Sequence, residues 1–250
     1  ASNVTSSSSN ITLKGNQFGL NSTATFNTTG SVSVFSLDAS NSFGSAQTFD
    51  SKWAFGNSIS GLTIGKSNNA VGLSFTNPVN IAGPITAYGS AITVNSGLTA
   101  TGSSITLSAD SISLNASLTG TGTLTLQPKT AGASIGIGTG ATGTLNLASS
   151  WFNGAGRRVS DGFSSIVLGN STSGDIAVTG ANTFTDNVTL LTSGNITLNA
   201  GSSITNSGPG SDIILAASGN FINNAGSTAM TTNSGRWIVY SNDPTANTFG

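Results

Sequence analysis

The ionisable side chains that could do chemistry in this chain are few, and the usual catalytic types are missing. All eight acidic residues are aspartates, seven residues are Lys or Arg, and there is no Glu, His or Cys. Most acid–base and nucleophilic arrangements depend on one of the missing types. What remains is a lyase-like site, with clustered aspartates holding a cation beside an arginine or lysine base. The aspartates are dispersed instead, at Asp38, Asp50, Asp110, Asp161, Asp175, Asp186, Asp212 and Asp243.

One segment brings opposite charges close together in sequence. Arg157 and Arg158 lie just before Asp161, and Trp151 precedes all three. A solvated ion pair on a loop explains these charges more simply than a catalytic site, so we predict no enzymatic activity and no cofactor. Exposed aromatic rings can stack on sugars. Surface contacts with a ligand are therefore predicted for Trp151, Arg157, Arg158 and Tyr88.

Metal, phosphate and modification sites give weaker signals. The spacings of the EF-hand and of the glycine-rich calcium repeat are absent, and the glycines between 132 and 140 are not followed by the Gly-Lys-Ser/Thr of a phosphate loop. We predict no metal site and no nucleotide site. Asn-x-Ser/Thr sequons are frequent, and Asn10, Asn115, Asn170 and Asn195 are candidate glycosylation sites.

The composition limits the elements that could position such residues. Only 6% of residues are charged and the net charge is −1, whereas about 25% are charged in a typical soluble protein. The chain is poor in the helix formers Glu, Lys and Arg, which argues against a helical domain. It also lacks the basic surface that nucleic acid requires and any apolar run long enough to span a bilayer.

Short apolar–polar–apolar triplets, separated by Gly, Asn, Ser and Asp, recur along the chain. Each predicts a short strand with two side chains on one face. Starts at residues 105, 124, 145, 166 and 188 are separated by about 20 residues, a period typical of a solenoid. Asn115, Asn195 and Asn199 beside the triplets are equally consistent with stacked ladders and with isolated turns.

The predicted fold is therefore an all-β, right-handed parallel β-helix (β-solenoid) over residues 1–250, with about 20 residues per coil and roughly 12 coils. Residues 1–84 should form less regular coils, with Phe and Trp side chains as larger core residues or as a sign of wider coils. Residues 85–234 should form regular coils, interrupted by a protruding loop near 149–163. In the terminal segment 235–250, we expect Trp237 to point inward and Tyr240 outward.

The terminal segment carries a family resemblance. Its residues 235–244 read Gly-Arg-Trp-Ile-Val-Tyr-Ser-Asn-Asp-Pro, followed by Asn-Thr-Phe-Gly at 247–250. This motif resembles one that closes solenoid repeats in filamentous-haemagglutinin-like exoproteins of Gram-negative bacteria, and the triplet run of 85–225 is similar in style. The resemblance implies a large protein secreted by a two-partner or autotransporter route. The chain would be an internal or C-terminal segment of its solenoid.

The predicted function is that of an extracellular structural or adhesive rod of a secreted, cell-surface bacterial protein. One alternative is a subunit that assembles into a filament or sheath by end-to-end stacking. Another is a β-helix that binds or cleaves carbohydrate, as in tailspikes and lyases. Expected partners are a host or cell-surface glycan or protein, or copies of the chain itself, together with an outer-membrane transporter during secretion. No nucleic acid and no membrane insertion are expected.

Overall fold

The computed structural model describes residues 2–250 as an all-β parallel β-solenoid of about 11 turns, with about 22 residues per turn. This confirms the predicted fold class. The chain divides into a first unit that ends at Thr123 and a second unit, Leu124–Gly250. Among the described residues, no helix is long and apolar enough to cross a membrane.

Short strands build the first unit. In chain order they are β1 Ser2–Thr5, β2 Ile11–Lys14, β3 Ala24–Asn27, β4 Ser31–Phe35, β5 Gln47–Phe49, β6 Trp53–Phe55, β7 Gly61–Ile64, β8 Leu73–Phe75, β9 Val79–Ile81, β10 Ile85–Tyr88, β11 Ala91–Val94, β12 Leu98–Ala100, β13 Ile105–Ser108, β14 Ser111–Leu114 and β15 Leu118–Gly120. Parallel pairing gives the sheets β1-β3-β6, β2-β4-β7-β10-β13, β5-β8-β11-β14 and β9-β12-β15. Successive strands thus belong to different sides of the coil.

The core of this unit is made of inward-facing side chains that repeat from coil to coil. Ile85 pairs with Ile105, Ile92 pairs with Ile112, and the first three of these side chains are fully buried. Both pairs have the sequence separation that the triplet spacing predicts. Alternation of in and out along each strand places every second residue in this core.

The Phe-rich region has both of the features expected of it. The coils are wider there, because Val32 and its partner Leu62 lie further apart in the sequence than Ile85 and its partner Ile105. The extra width is filled by aromatic side chains: Phe26 and Trp53 are buried, with ring centroids 5.5 Å apart. Coils of the second unit are also long, since Val188 and its partner Ile213 lie further apart in the sequence than Ile85 and Ile105. Both groups of coils make the turns longer on average than the triplet spacing predicts.

The second unit is built in the same way. Its strands are β16 Thr123–Gln127, β17 Ile135–Gly138, β18 Leu145–Leu147, β19 Ser165–Gly169, β20 Ile176–Thr179, β21 Ala181–Phe184, β22 Val188–Thr192, β23 Ile196–Leu198, β24 Ser203–Pro209, β25 Ile213–Ala217, β26 Phe221–Asn223, β27 Met230–Asn233 and β28 Trp237–Tyr240. Short 3-10 helices occupy Ser149–Trp151 and Pro244–Ala246. The sheets are β16-β19-β22-β25-β28, β18-β17-β20-β23-β26 and β21-β24-β27.

One part of the predicted register is wrong. The sequence spacing placed Leu145 in a series with residues 124 and 166, but β18 pairs with β17, and Leu145 lies opposite Ile135. After Gly138, whose φ of 107° lies in the left-handed region, the chain returns to the start of β17, and β18 runs parallel to it. Glycine tolerates that conformation, so a turn of the chain forms where the triplets alone suggested another coil.

Candidate contact surfaces

A row of hydroxyl side chains runs along the outer face of the first unit. It follows the sheet β2-β4-β7-β10-β13, and the strand register aligns Thr12, Ser33, Thr63, Thr86 and Thr106 in consecutive strands. All five are exposed or half-exposed. Neighbouring strands are about 4.8 Å apart, so the hydroxyl groups repeat at that spacing. We call these five residues the hydroxyl row.

Tyr88 lies on the same outer face as the hydroxyl row. It follows Thr86 by two positions in β10 and pairs with Ser108 in β13. Its side chain is half-exposed. A half-exposed phenol beside aligned hydroxyl groups can combine ring stacking with hydrogen bonding. Of the predicted contact residues, Tyr88 therefore has the most suitable surroundings for a sugar.

The corresponding sheet of the second unit has a different outer row. There Val167 pairs with Thr189, Thr189 pairs with Ile214, and Ile214 pairs with Ile238. Apolar side chains thus replace most of the hydroxyl groups. The aligned hydrogen-bonding groups in the first unit are consequently not a general property of the repeat.

The segment between β18 and β19 was expected to protrude, and only part of it does. Gly154, Ala155 and Gly156 are exposed, but Phe152, Val159 and Phe163 are each only 3% exposed. The ring of Phe152 packs on that of Phe184 in β21, with centroids 4.8 Å apart. The segment is therefore fixed to the solenoid by apolar contacts. We call residues 148–164 the packed loop.

The side chain of Asn153 attaches the packed loop to the free edge of β21. Its Nδ2 donates to the backbone oxygen of Ala181 at 3.1 Å, and its Oδ1 accepts from the backbone nitrogen of Thr183 at 2.7 Å. An unpaired edge strand exposes just such groups. The amide thus provides the two hydrogen bonds that a neighbouring strand would have made.

Two of the predicted charged residues, Arg157 and Asp161, meet a third that the sequence did not single out. Arg157 lies 3.7 Å from Asp161 in an ion pair, and its Nη1 donates to Thr185 Oγ1 at 3.3 Å. Next to this pair lies Asp186, which is 8% exposed and accepts a 3.1 Å hydrogen bond from the backbone nitrogen of Gly162. Arg158 follows Arg157 in the chain, and its side chain is exposed.

Asp186 is electrostatically unusual. Burial raises the pKa of its carboxyl group, and the nearby charge of Asp161 raises it further, whereas the Gly162 hydrogen bond and the Arg157 charge lower it. Its second oxygen, Oδ2, is buried without a hydrogen-bond partner in the described structure. Asp186 lies two positions after Phe184 and two before Val188, and this apolar alternation is the sequence signal that could have placed it inside.

The predicted contact residues are spread over both units. Tyr88 belongs to the first unit, and Trp151, Arg157 and Arg158 belong to the second. Within the second unit the backbone oxygen of Trp151 accepts from the nitrogen atoms of Arg158 and Val159, both at 2.9 Å. This closes the packed loop on itself and keeps the half-exposed Trp151 near the two arginines in the fold.

The four sequon asparagines differ in how far they are engaged. Asn10 and Asn115 are exposed, whereas Asn170 and Asn195 are half-buried. The Asn170 Oδ1 accepts from Thr172 and Ser173, and the Asn195 Oδ1 accepts from the backbone nitrogen of Asn220 at 2.8 Å. An N-linked glycan is attached to Nδ2, and the Asn115 Nδ2 donates to Asn95 Oδ1, so Asn10 is the less obstructed of the two exposed sites.

Asparagine ladders occur in the turns. Asn115 Nδ2 donates to Asn95 Oδ1 one coil away, at 2.8 Å. Asn195 extends a second ladder. Its backbone nitrogen donates to Asp175 Oδ1 at 2.7 Å, and its own Oδ1 accepts from the backbone nitrogen of Asn220 in the next coil. For these two residues the structure favours ladders over isolated turns.

Across residues 2–250, no three Asp, Glu, His or Cys side chains come together as a metal ion would require. No protein-family model matches the chain, and comparisons with curated proteins and with solved structures find no match. The resemblance to filamentous-haemagglutinin-like exoproteins therefore rests on the terminal motif and the triplet run alone.

Proposed function

We propose that this chain is a structural and adhesive solenoid of a large secreted bacterial surface protein, with no catalytic role. The hydroxyl row is the observation that carries the proposal. Four of its five side chains, Ser33, Thr63, Thr86 and Thr106, lie on consecutive strands whose inward neighbours are buried, so these outward groups are presented in fixed positions. Binding loses less conformational entropy when the contacting groups are already ordered.

The partner best suited to this surface is a neutral glycan on a cell surface. Threonine and serine hydroxyls both donate and accept hydrogen bonds, and so do sugar hydroxyls. Few charges lie on this face. One of them is Lys14, at the end of β2. Contacts that are individually weak can add up when several repeat along one ligand, as in multivalent binding.

The packed loop supports a structural rather than a catalytic role for the charged residues of the second unit. Asp186 is buried and bonded to the loop backbone, and Arg157 is engaged by Asp161 and Thr185. These contacts hold the loop against β21 and β22. A glycoside-cleaving site would instead present two carboxyl groups to an open groove.

The test has two parts. The purified chain is applied to an array of neutral and acidic glycans, beside a variant with Thr63, Thr86 and Thr106 replaced by Val and a Tyr88→Ala variant. Valine keeps the β-branched shape and removes the hydroxyl group. We expect the chain to bind, and both variants to bind at least about tenfold more weakly, which corresponds to 1.4 kcal/mol.

The matched control is Thr189→Val, which removes one outward hydroxyl group between apolar neighbours in the second unit and should not change binding. Antibodies against the chain should also label intact cells of the producing bacterium. Absence of glycan binding by the unmodified chain, or equal binding by the triple Val variant, would overturn the adhesive role. Labelling only after lysis would overturn the surface location.

A further inference from the structure

One asparagine of the packed loop is followed by a glycine. Asn153 precedes Gly154, whereas every other asparagine in the sequence precedes a residue that has a side chain. The backbone nitrogen of the next residue can attack an asparagine amide and close a five-membered succinimide ring. A side chain on that next residue obstructs the ring, and glycine has none. The sequence therefore places the asparagine amide that is most open to this attack at position 153.

The surroundings of Gly154 leave its backbone nitrogen free to react. Gly154 is exposed, and a Cβ added there would meet no atom within 4 Å. Within residues 2–250, the Gly154 nitrogen makes no hydrogen bond. The backbone at this position can therefore turn towards the side chain of Asn153 without leaving a packed site or giving up a bond of its own.

A second dipeptide of the packed loop, Asp161-Gly162, could react in the same way. The nitrogen of Gly162 is engaged, however, because it donates to Asp186 Oδ1 at 3.1 Å. The carboxyl group of Asp161 lies in an ion pair with Arg157, and an ionised carboxyl group accepts a nucleophile less readily than an amide does. Only the dipeptide 153–154 combines a reactive side chain with a free backbone nitrogen.

The fold restrains this dipeptide through the Asn153 side chain. That side chain is half-exposed, and its amide is bonded to the backbone of β21 at Ala181 and Thr183. Ring closure requires the amide carbon, Cγ, to turn from the edge of β21 towards the Gly154 nitrogen. Both hydrogen bonds must open first, so the reaction proceeds from a locally opened state of the loop.

We propose that Asn153 is a site of spontaneous deamidation and that the reaction loosens the packed loop from the edge of β21. The Gly154 nitrogen gives up its proton to water and bonds to Asn153 Cγ. The Cγ–Nδ2 bond breaks, and Nδ2 takes up a proton and leaves as ammonia. Water then opens the ring at one of its two carbonyl carbons, which gives aspartate or isoaspartate. Water is the only co-reactant, and nothing is oxidised or reduced.

Neither product closes the edge of β21 as the amide does. An aspartate has no N–H to donate to the Ala181 oxygen and places a carboxylate oxygen near it instead. An isoaspartate lengthens the main chain by one carbon at residue 153 and shortens the side chain, which moves the carboxyl group away from its partners. In both cases the Ala181 oxygen loses its hydrogen bond at an unpaired edge. The attachment of the loop therefore weakens as the protein ages.

The first experiment stores the purified chain at physiological temperature in mildly alkaline buffer, with and without urea, and maps the peptides by mass spectrometry. In urea, we expect Asn153 to be the first asparagine that is converted. In the folded chain its conversion should be detectable but at least about tenfold slower, because two hydrogen bonds must open first.

Two glycine variants, both measured in urea, test the chemistry apart from the fold. Gly154→Ala should show no detectable conversion of Asn153 over the same period, because the new side chain obstructs the ring. The matched control is Gly156→Ala, since Gly156 is also exposed in the packed loop and a Cβ there meets no atom within 4 Å. This variant should be converted at the rate of the unmodified chain.

The second experiment measures the loosening of the loop by limited digestion with trypsin, because Arg157 and Arg158 lie within it. Asn153→Asp reproduces one product, and cleavage after these arginines should be about fivefold faster than in the unmodified chain, as the loss of one hydrogen bond implies. Asn224→Asp adds the same charge at an exposed position outside the loop and should be cleaved at the unmodified rate. Circular dichroism checks that both variants fold.

Three results would overturn the inference. In urea, Asn153 could remain unconverted while another asparagine reacts. In the folded chain, conversion could be absent, or as fast as in urea, which would contradict the restraint by β21. Finally, Asn153→Asp could be cleaved no faster than Asn224→Asp. None of these measurements involves the hydroxyl row of the first unit, so their outcome is independent of glycan binding.

Discussion

The side-chain oxygen of Asn153 lies 2.7 Å from the backbone nitrogen of Thr183 and accepts its hydrogen bond. The same side chain donates to Ala181, so one amide group closes the edge of β21. A single residue of the packed loop therefore provides hydrogen bonds that elsewhere in the solenoid come from a neighbouring strand. This attachment fixes the packed loop to the second unit.

Replacing Asn153 by Ala should destabilise the second unit. The substitution leaves the Thr183 N–H and the Ala181 carbonyl unpaired, which costs about 1–3 kcal/mol where water does not replace the bonds. Urea unfolding measures the loss, and hydrogen exchange should become faster at the Thr183 amide. Asn224→Ala is the control, because Asn224 is exposed. This variant should unfold at the same urea concentration as the unmodified chain. Unchanged exchange at Thr183 would contradict the assigned contact.

Gly138 should tolerate no side chain. Its φ is 107°, and a Cβ there would lie 1.8 Å from the backbone oxygen of Thr179. Gly138→Ala should therefore lower the free energy of unfolding by more than about 2 kcal/mol, since strain of this kind costs about 1–3 kcal/mol and the steric overlap adds to it. Equilibrium unfolding in urea measures the change.

Gly132 provides the comparison for this substitution. Its φ is 75°, but a Cβ there would meet no atom within 4 Å. Gly132→Ala should lower the free energy of unfolding by about 1 kcal/mol, which is the cost of a side chain in the left-handed conformation. Equal effects of the two substitutions would show that the close approach of Gly138 to β20 is not what limits the turn.

Asp186→Asn should stabilise the protein at neutral pH. Because burial raises the pKa of Asp186 in the folded state, its ionisation opposes folding, and stability falls as the pH rises from the ordinary Asp value through the raised one. The Asn variant lacks this penalty. Its gain in melting temperature should be largest at neutral pH and shrink as the pH falls towards about 3.9.

Asp212→Asn is the control of opposite sign. Backbone and side-chain hydrogen bonds from Arg236 lower the pKa of Asp212, so the ionised form favours folding above the ordinary Asp value and the benefit is lost in acid. This variant should melt below the unmodified chain at neutral pH, with the difference shrinking in acid. Melting curves over a pH series measure both variants, and a shift of the same sign would contradict the assignment for Asp186.

Much of the solenoid could be predicted from local pattern. The triplet at residues 92–94 lies within β11, and its partner at 112–114 lies within β14 of the next coil. Alternation along a strand is a local property, so the sequence identifies these residues as core without further information. The sequence did not predict that β18 pairs with β17. That pairing depends on the turn at Gly138, whose conformation is set by packing against β17 and not by the local pattern.

The candidate surfaces were harder to predict. The sequence grouped Arg157 with Asp161, which lie close together in the chain, but Asp186 reaches them only because a coil brings β21 and β22 under the packed loop. The hydroxyl row was likewise hidden, since Ser33 and its partner Thr63 are separated by a wide coil. Unequal coil lengths remove any fixed period from which such an alignment could be read.

By itself, the sequence determined that this protein is a β-solenoid in which one of Trp237 and Tyr240 faces inward, because strand alternation and the scarcity of charge act locally. The pairing of Trp237 with the buried Ile213 in the structure identifies Trp237 as that residue. Only the tertiary structure decided which residues share a row, that Asn153 closes the edge of β21, and that Asp186 lies beside Arg157 and Asp161. Those relationships depend on register between coils. Register is set by the lengths and conformations of the turns, and those become defined only when the coils stack.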